Sequence, residues 1–319
     1  MSDGTKIEWT DATVNVINGC SLASPGCTHC YAMKQAHRFP VRQGLTKHTK
    51  GGMVWTGEVR FNESALLQVL RWKRPRRIFW NAHGDTFHES VPDEWIDRCF
   101  AVMALTPQHQ HQVLTKRSAR MREYLSKRCG HGSTPGHHIM HAMDGISRDR
   151  WPDLQWPLPN VWLGVSVEDQ VRADERIPDL LATPAAVRFL SCEPLLSELN
   201  IRHALIGQSR LRWVIAGGES GPGARPMHPD WARSLRDQCA DAGVPFFFKQ
   251  WGEYAPGEIA CDFLDSEKGA KGLSFFDGRW DGCWSEVDGH FDDQPDVYRI
   301  GKKRAGRTLD GIEHNGMPS

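Results

Sequence analysis

The sequence of 319 residues predicts an α/β fold built on a parallel sheet. Two observations support this prediction: seven short runs have the composition of β-strands, and helical patterns separate them between Thr13 and Lys249. Most of the runs are continuously apolar, which is typical of parallel strands that are covered on both faces. The alternation of strand and helix then predicts a parallel sheet, either open or closed into a barrel.

The predicted strands and helices follow one another in a regular order. The strands are predicted at Thr13–Ile17, Ile78–Asn81, Gln112–Thr115, Val161–Val165, Val187–Ser191, Trp213–Ala216 and Pro245–Lys249. Asn62 can cap the first clear helix, because an asparagine oxygen accepts from an unpaired amide of the first turn. Pro92 suits the first turn of a second helix. Pro229 begins a third helix, which Gly243 ends.

Two stretches interrupt the alternation. Residues 129–159 are rich in glycine, proline and histidine, and we predict a long insertion there. Residues 256–319 carry scattered glycine, aspartate and tryptophan and are predicted to be an irregular extension with a small hairpin. We therefore expect one main domain over residues 1–255, which contains the insertion, and a C-terminal extension over residues 256–319 that packs on it.

Composition limits the classes of protein to consider. Hydrophobic residues make up 39% of the chain and charged residues 24%, as in soluble globular proteins. No run approaches the roughly 20 apolar residues of a membrane helix, and the first residues do not resemble a signal peptide. We therefore expect a cytoplasmic protein without a membrane partner. Net charge is zero, which argues against a general nucleic-acid coat but not against a local basic patch.

Two basic runs are candidates for such a patch. RWKRPRR spans residues 71–77, before the second predicted strand, and GKKRAGR spans residues 301–307. The first run lies at the amino end of a strand, which is the wrong end of an α/β barrel for chemistry. We interpret both runs as solvated surface, with contact to a polyanion as the alternative.

The carboxyl ends of the predicted strands are unusually polar. In order along the chain these ends carry Asn81, His83 and Asp85, then Lys116 and Arg117, then Ser166 and Glu168, then Cys192 and Glu193, then Glu219 and Arg225, and finally Lys249. Ligands of α/β proteins bind at this end of the strands. Taken alone, each residue could be a helix cap or part of a surface loop. The shared pattern instead predicts one common pocket.

Three cysteines follow the first predicted strand with the spacing C-x6-C-x2-C, at Cys20, Cys27 and Cys30. Nine cysteines in a chain of this length are too dilute for a disulfide scaffold. Three thiolates can hold a four-iron cluster with one iron left open. Together with His29 or His37 they could instead form a zinc site. Three free thiols are the third possibility, and spacing alone leaves all three open.

A resemblance to a known family adds to this interpretation. It is carried by KIEWTDATVNVINGCSLASPGCTHCYA, LTKRSARM, VWLGVSVEDQ, FLSCEPLL, WVIAGGESGPGARPM, PFFFKQWGEY and GKKRAGRTLDG. Together these motifs resemble a phage- and prophage-associated family of uncharacterised radical-SAM-like proteins, which is distantly similar to spore photoproduct lyase. The resemblance implies a partial (βα)6-type barrel similar to a TIM barrel, a 4Fe-4S cluster on Cys20, Cys27 and Cys30, S-adenosylmethionine as cofactor, and an external electron donor.

The sequence departs from the usual radical SAM pattern in two places. The first cysteine gap is six residues rather than three, and the aromatic residue, Tyr31, follows the last cysteine instead of preceding it. In addition, the strand that usually carries a Gly-Gly-Glu cofactor clamp ends in NAHGD. The resemblance therefore implies that Asp85, with Asn81 or His83, receives the ammonium group of the cofactor.

If that cofactor is bound, the side-chain chemistry of the other strand-end residues suggests roles for them. Lys116 and Arg117 would bind the cofactor carboxylate or a substrate phosphate, and Ser166 and Glu168 the ribose hydroxyls. The substrate or cofactor would be held by Glu193, Glu219, Arg225 and Lys249, with Cys192 as a hydrogen donor. Likeness to a DNA-repair enzyme favours a nucleobase or nucleotide as substrate. The alternative is a zinc-stabilised phage binding protein without catalytic activity.

Overall fold

The computed structural model of the protein describes residues 5, 7–127, 135–147, 154–263, 272–282 and 296–318. The chain divides into two compact units. The first contains Met1–Ser166, Asp174–Leu190 and Gly207–Leu211. The second contains Val167–Ala173, Ser191–Ile206 and Arg212–Ser319. Among the described residues, no helix has both the length and the apolar character needed to cross a membrane.

The helices and strands have the following bounds. The strands are β1 (Ala12–Val14), β2 (Ile17–Asn18), β3 (Thr46–Thr49), β4 (Gly52–Trp55), β5 (Arg60–Phe61), β6 (Arg77–Trp80), β7 (Gln110–Thr115), β8 (Val161–Ser166), β9 (Val187–Cys192), β10 (Trp213–Gly217), β11 (Phe246–Gln250), β12 (Tyr254–Ala255), β13 (Gly272–Phe276), β14 (Arg279–Gly282), β15 (Val297–Arg299), β16 (Thr308–Leu309) and β17 (Ile312–Glu313). The helices are α1 (Tyr31–Ala36), α2 (Glu63–Val69), α3 (Asp93–Leu105), α4 (Ser118–Lys127), α5 (Pro135–Ile146), α6 (Gln170–Ala182), α7 (Pro229–Asp241), α8 (Gly257–Ala260) and α9 (Lys302–Ala305).

The first unit is built on parallel strands in the order β1, β6, β7, β8. Their register aligns Ala12 with Ile78, Ile78 with His111, and His111 with Val161. Every residue of β8 is buried, as expected for a strand covered on both faces. The α/β class with a parallel sheet is therefore confirmed. Closure of the sheet into a (βα)6-type barrel stays a prediction.

The second unit contains a parallel pair of strands and an antiparallel sheet. Strands β10 and β11 run parallel, with Val214 opposite Phe246. Four further strands form an antiparallel sheet in the order β12, β15, β13, β14. In this sheet β13 and β14 form a hairpin that pairs Phe275 with Trp280, and it is the small hairpin expected in the C-terminal extension.

All seven predicted strands are found within a few residues of their predicted bounds, but the first one is shorter. The prediction placed a single strand over Thr13–Ile17, whereas β1 ends at Val14 and β2 turns away to pair with β5. The side chain of Asn81 explains the break, because its Oδ1 accepts from the amides of Val16 and Ile17, each at 2.9 Å. Those two amides are therefore not available to a neighbouring strand.

Most of the predicted helix boundaries are confirmed. Asn62 caps α2 by accepting from the amide of Ala65 at 3.1 Å. Helix α7 begins at Pro229 as predicted, and Gly243 beyond its end has a φ of +62°. Pro92 is the N-cap residue of α3 and so lies just outside the helix instead of in its first turn. Proline has no backbone N–H that could be left unpaired, so it suits the N-cap position as well as the first turn of a helix.

The long insertion contains a helix. Helix α5 occupies Pro135–Ile146 and so falls within the predicted insertion at residues 129–159. Residues 128–134 and 148–153, with Cys129 and His131, lie outside the described residues, as does Cys283 in the C-terminal extension. Two cysteines predicted to lie on apolar helix faces, Cys99 of α3 and Cys239 of α7, are fully buried. Those thiols belong to the hydrophobic core.

Candidate functional site

The three cysteines of the C-x6-C-x2-C motif lie on one loop of the first unit, between β2 and α1. A short 3-10 turn at Pro25–Cys27 bends the loop, and the amide of Cys30 donates to the carbonyl of Cys27 at 3.2 Å. Cys27 is buried, whereas Cys20 and Cys30 are partly buried against an apolar cluster. This cluster consists of Ala32, Met33, Ala36, Leu45 and Trp55. The segment Cys20–Cys30 is called the thiol loop below.

Two glycines fix the start of the thiol loop against the end of β6. The amide of Gly19 donates to the carbonyl of His83 at 3.1 Å, and Gly19 and Gly84 form a parallel bridge. A Cβ atom on Gly84 would lie 2.4 Å from the carbonyl oxygen of Ile17. No side chain fits in that space, so only glycine allows this close approach.

A buried arginine joins the thiol loop to the ends of β6 and β7. Arg117 Nη1 lies 3.5 Å from the sulfur of Cys20 and 3.4 Å from Oδ2 of Asp85. Arg117 Nη2 donates to both oxygens of Ser21, at 3.0 and 2.8 Å, and Nε donates to Glu89 at 3.3 Å. Burial disfavours the charged form of Arg117. The pKa of Arg117 is nevertheless raised, because the negative charges of Asp85, Cys20 and Glu89 together have the larger effect. The guanidinium is therefore a fixed cation beside the first thiol.

Asp85 holds the ends of β6 and β7 together. Its Oδ1 accepts from the hydroxyl of Thr115 at 2.6 Å and from the amide of Phe87 at 2.9 Å. Its Oδ2 accepts from the amide of Lys116 at 3.1 Å as well as from Arg117. The chain itself already uses both oxygens. An ammonium group bound here would share them with these donors.

Burial controls the ionisation of the thiols. It raises the pKa of Cys20 to about 12, although Arg117 works in the opposite direction. Burial also raises the pKa of Cys30, although hydrogen bonds from the amides of Met33 and Ala32 lower it in part. A smaller contribution from the charge of Cys27 also raises the pKa of each of the other two thiols. At neutral pH Cys20 and Cys30 are thiols, and their ionisation requires a bound cation.

Asn81 and His83, the other candidates after β6, have different surroundings. Asn81 is used structurally, since its Nδ2 also donates to the hydroxyl of Thr86 at 2.8 Å. Burial and the charge of Arg42 lower the pKa of His83 to about 4, so its ring is neutral. Within the described part of the chain, Nδ1 of His83 is buried without a hydrogen-bond partner. His83 is thus the better candidate of the two for contact with a ligand.

The second unit contains a separate polar cluster at the ends of its strands. Lys249 Nζ donates to both carboxylate oxygens of Glu193, at 2.6 and 2.8 Å. Gln250 Nε2 donates to the hydroxyl of Ser220 at 2.9 Å and to the carbonyl of Gly218 at 3.2 Å. Gln250 is 95% buried, and its Oε1 has no hydrogen-bond partner among the residues the structure describes. This acceptor is therefore available to a ligand.

The loop GGESGPGAR closes on itself in the second unit. Glu219 is buried, and Arg225 donates to its two oxygens from Nε at 2.9 Å and from Nη2 at 2.6 Å. The amide of Arg225 also donates to Glu219, at 2.9 Å. The amide of Gly221 donates to Glu253 at 2.9 Å. Glu219 and Arg225 thus neutralise each other in a two-pronged ion pair.

Three further predicted site residues are buried. The backbone carbonyl of Ser166 accepts from Nη1 of Arg176 at 2.8 Å. The backbone carbonyl of Glu168 accepts from the amide of Leu196 at 2.7 Å. Cys192 is fully buried, and burial raises its pKa well above the ordinary value. The helix-cap alternative for SVED applies to Asp169, whose side chain accepts from the amide of Arg172 at 2.8 Å.

Within each unit the structure brings several predicted residues together. The first unit joins Cys20, Asp85 and Arg117, and the second joins Glu193 to Lys249 and Glu219 to Arg225. Sequence reasoning missed Ser21 and Glu89, because a serine or glutamate on a loop carries no signal of its distant partner. In the described ranges, no group of three or more His, Cys, Asp or Glu side chains is placed to hold a single metal ion.

The fold and the polar clusters define an α/β protein with a three-cysteine loop at the carboxyl ends of its parallel strands. The chain belongs to DUF5131, a family described as "protein of unknown function", whose model matches residues 4–318. No curated protein and no solved structure matches the chain.

Proposed function

We propose that the protein is a radical S-adenosylmethionine-type iron–sulfur enzyme. In this proposal Cys20, Cys27 and Cys30 bind three irons of a 4Fe-4S cluster and leave the fourth iron for S-adenosylmethionine. The observation that carries the proposal is the contact between Cys20 and Arg117, which places a buried cation from the end of β7 beside the first thiol of a three-cysteine loop.

The residues present fit such a cluster by their chemistry. Cysteine thiolates are the usual ligands of iron–sulfur clusters, and hydrogen bonds to their sulfurs tune the reduction potential. Arg117 supplies such a hydrogen bond to Cys20. Three thiolates would bring negative charge into a loop that burial desolvates. A guanidinium at this distance offsets part of that charge.

The residues of the chain would bind and orient the reactants. When bound, the cluster supplies the electron that cleaves the sulfonium of S-adenosylmethionine and so starts radical chemistry on a substrate. The electron comes from an external donor. Arg117 is held by Ser21 and Asp85, so it keeps its positive charge at the loop while a carboxylate binds nearby. Lys116 adjoins it in sequence.

The polar cluster of the second unit supports a substrate with hydrogen-bonding edges. The Oε1 of Gln250, which has no partner among the described residues, can accept from an N–H or O–H group, and the Glu193–Lys249 pair offers both a donor and an acceptor. Nucleobases present donors and acceptors of this kind on their edges. We therefore propose a nucleobase or nucleotide as the substrate class, with Glu193, Glu219, Arg225 and Lys249 in contact with it and Cys192 as a hydrogen donor.

Anaerobic reconstitution with iron and sulfide tests the cofactor. We expect the broad visible absorption of a four-iron cluster, and an electron paramagnetic resonance signal of the reduced protein that changes when S-adenosylmethionine is added. Cys20→Ser, Cys27→Ser and Cys30→Ser should each lose most of this cluster. Cys261→Ser is the matched control, because Cys261 is an exposed thiol that the proposal leaves unused. It should load as the wild type does.

The metal content decides between this proposal and its alternative. One tightly held zinc and no cluster after reconstitution would contradict the enzyme and support a zinc-stabilised binding protein. A cluster that forms equally well in Cys20→Ser would show that the ligands are assigned wrongly. With the cluster in place, reductant and S-adenosylmethionine together should yield 5′-deoxyadenosine and methionine.

A further inference from the structure

The segment that carries the thiols contains no acidic residue. Between Asp11 and Glu58 the chain has five lysines and arginines, three histidines and neither aspartate nor glutamate. The whole chain is neutral, with 39 basic and 39 acidic residues. Charge is therefore unevenly distributed along the sequence, and this segment carries a net positive charge, the sign that attracts polyanions.

The same segment exposes large apolar side chains. Nine large hydrophobic residues are exposed in the described part of the chain, and four of them lie between residues 22 and 41. These four are Leu22, Tyr31, Phe39 and Val41, with exposed fractions of 52, 50, 43 and 41%. Exposed apolar residues that cluster beside cations are typical of a binding surface. Two of the four are aromatic and offer flat faces for stacking.

The two aromatic rings are held in place from behind. Tyr31 donates from its hydroxyl to the carbonyl of Ala82 at 3.0 Å, and its ring packs edge-on against His83 with centroids 5.8 Å apart. Phe39 contacts His83 at 6.2 Å and lies 4.4 Å from the guanidinium carbon of Arg42. Rings that are fixed before binding lose little conformational freedom when a ligand stacks on them.

Exposed cations also lie on the elements next to the rings, since α1 and β4 pack in one apolar cluster. Arg38 is exposed just after α1, and Lys47, His48 and Lys50 are exposed on the β3–β4 hairpin. Arg42 is buried instead, where it donates to Oδ1 of Asn18 at 3.0 Å and supports Phe39. We define the platform as Tyr31, Phe39, Arg38, Lys47 and Lys50.

We propose that the platform binds single-stranded nucleic acid. Pinned aromatic faces can stack on unpaired bases, and the lysines and arginine can contact the phosphates that link those bases. An acidic protein would satisfy the charges but would leave the stacking faces unused, and a duplex does not present its base faces. Tyr31 directly follows Cys30, so the bound strand would lie beside the thiol loop. The inference deepens the proposed function by naming a partner class, while the binding itself needs no cluster.

Fluorescence anisotropy with a labelled oligothymidylate tests the stacking faces. The full-length protein is titrated without added iron, at low and at physiological salt. Tyr31→Leu and Phe39→Leu should each weaken binding roughly 5- to 150-fold, because stacking one base on an aromatic side chain contributes about 1–3 kcal/mol. Tyr31→Phe keeps the ring but loses the hydrogen bond to Ala82 that holds it, so it should lose less affinity than Tyr31→Leu does. Circular dichroism shows whether each variant is folded.

A matched pair of double variants tests the charges. Lys47→Gln/Lys50→Gln should weaken binding and reduce the salt dependence of log K by about 1.4, since each phosphate contact on a single strand contributes about 0.7. Lys73→Gln/Arg74→Gln removes the same charge from two exposed residues that precede β6, and it should bind as the wild type does. The opposite result would overturn the platform and move the contact to RWKRPRR.

Two competitors and one further variant complete the test. Poly-glutamate that competes as well as oligothymidylate would overturn the proposal in favour of an acidic protein. A DNA duplex that binds as tightly as the single strand would also overturn it. Cys20→Ser should lose the cluster but retain binding, so loss of the cluster and loss of nucleic-acid binding are separate outcomes. Failure of reconstitution would then count against the enzyme and not against the platform.

Discussion

Arg117 uses every hydrogen-bond donor that an arginine has. A guanidinium carries five N–H groups, and Arg117 makes five hydrogen bonds, to Cys20, Asp85, Glu89 and the two oxygens of Ser21. Its side chain is only 6% exposed. A lysine offers a single point of charge in place of this planar fork. The residue is therefore specified by geometry as well as by charge.

We predict that substitutions of Arg117 separate these two contributions. Arg117→Lys keeps the charge and should lower the free energy of unfolding by about 1–3 kcal/mol through lost hydrogen bonds. Arg117→Gln should lower it by about 3–5 kcal/mol, because the buried carboxylate of Asp85 then loses its ion pair with Arg117. Urea unfolding of the metal-free protein measures both values.

Arg120 provides the control for this pair of variants. It pairs with Asp93 at 3.0 Å, but both side chains are about a third exposed. Arg120→Gln should therefore cost no more than about 1 kcal/mol. Equal losses in Arg117→Gln and Arg120→Gln would contradict the special position of Arg117.

Single elements show how far sequence reasoning reaches. The strands could be predicted because a continuous apolar run such as that of β8 is a local signal of burial on both faces. The early end of β1 could not, since it depends on the side-chain oxygen of Asn81, which accepts from Val16 across 65 residues of sequence. The thiol loop was visible from cysteine spacing alone. Its contact with Arg117 spans 97 residues and has no local signal.

Strand β7 carries a buried histidine whose charge state affects stability. Nδ1 of His111 accepts from the indole of Trp80 at 3.0 Å, and Nε2 lies 3.0 Å from the hydroxyl of Thr106. An indole N–H can only donate, so Nδ1 must be unprotonated. Burial, with a smaller contribution from His109, lowers the pKa of His111 to about 3. The native protein therefore keeps this ring neutral.

We predict that His111 makes the protein less stable as pH falls. Between pH 6.5 and about 3 the unfolded chain binds a proton at His111 and the native chain does not, so acid favours unfolding. The contribution approaches about 1.4 kcal/mol per pH unit in this window and is absent above it. Urea unfolding at several pH values, compared between wild type and His111→Asn, isolates the effect.

The expected signature is a difference in slope. His111→Asn should be less stable at pH 7 because it loses a contact to Thr106, but its stability should fall less steeply below pH 6.5. His48→Asn removes an exposed histidine from the β3–β4 hairpin and serves as the control, with the wild-type slope. If His111→Asn showed the wild-type slope, the ring would have to be protonated in the native protein.

At the scale of the whole molecule, the final residues belong to the second unit by their backbone contacts. The amide of Phe248 donates to the carbonyl of His314 at 3.0 Å. The amide of Gly316 donates to the carbonyl of Phe246 at 2.9 Å. The indoles of Trp213 and Trp251 donate to the carbonyls of Gly316 and Thr308, at 2.8 and 2.7 Å. Residues 314–316 thus pair with the backbone of β11, while the carbonyl of Thr308 binds the side chain of Trp251 just beyond that strand.

We predict that a chain ending after Gly306 is destabilised by about 2–6 kcal/mol, since it loses these four hydrogen bonds at about 0.5–1.5 kcal/mol each. It also exposes backbone groups of β11, and an unpaired strand edge promotes association with other chains. Thermal unfolding followed by light scattering should show a lower transition temperature and earlier aggregation. A chain ending after Met317 keeps Gly316 and serves as the control, with the behaviour of the full chain. If the shorter chain unfolded at the same temperature as this control, the contacts of residues 308–316 would contribute nothing to the stability of the second unit, and β11 would be stable with an open edge.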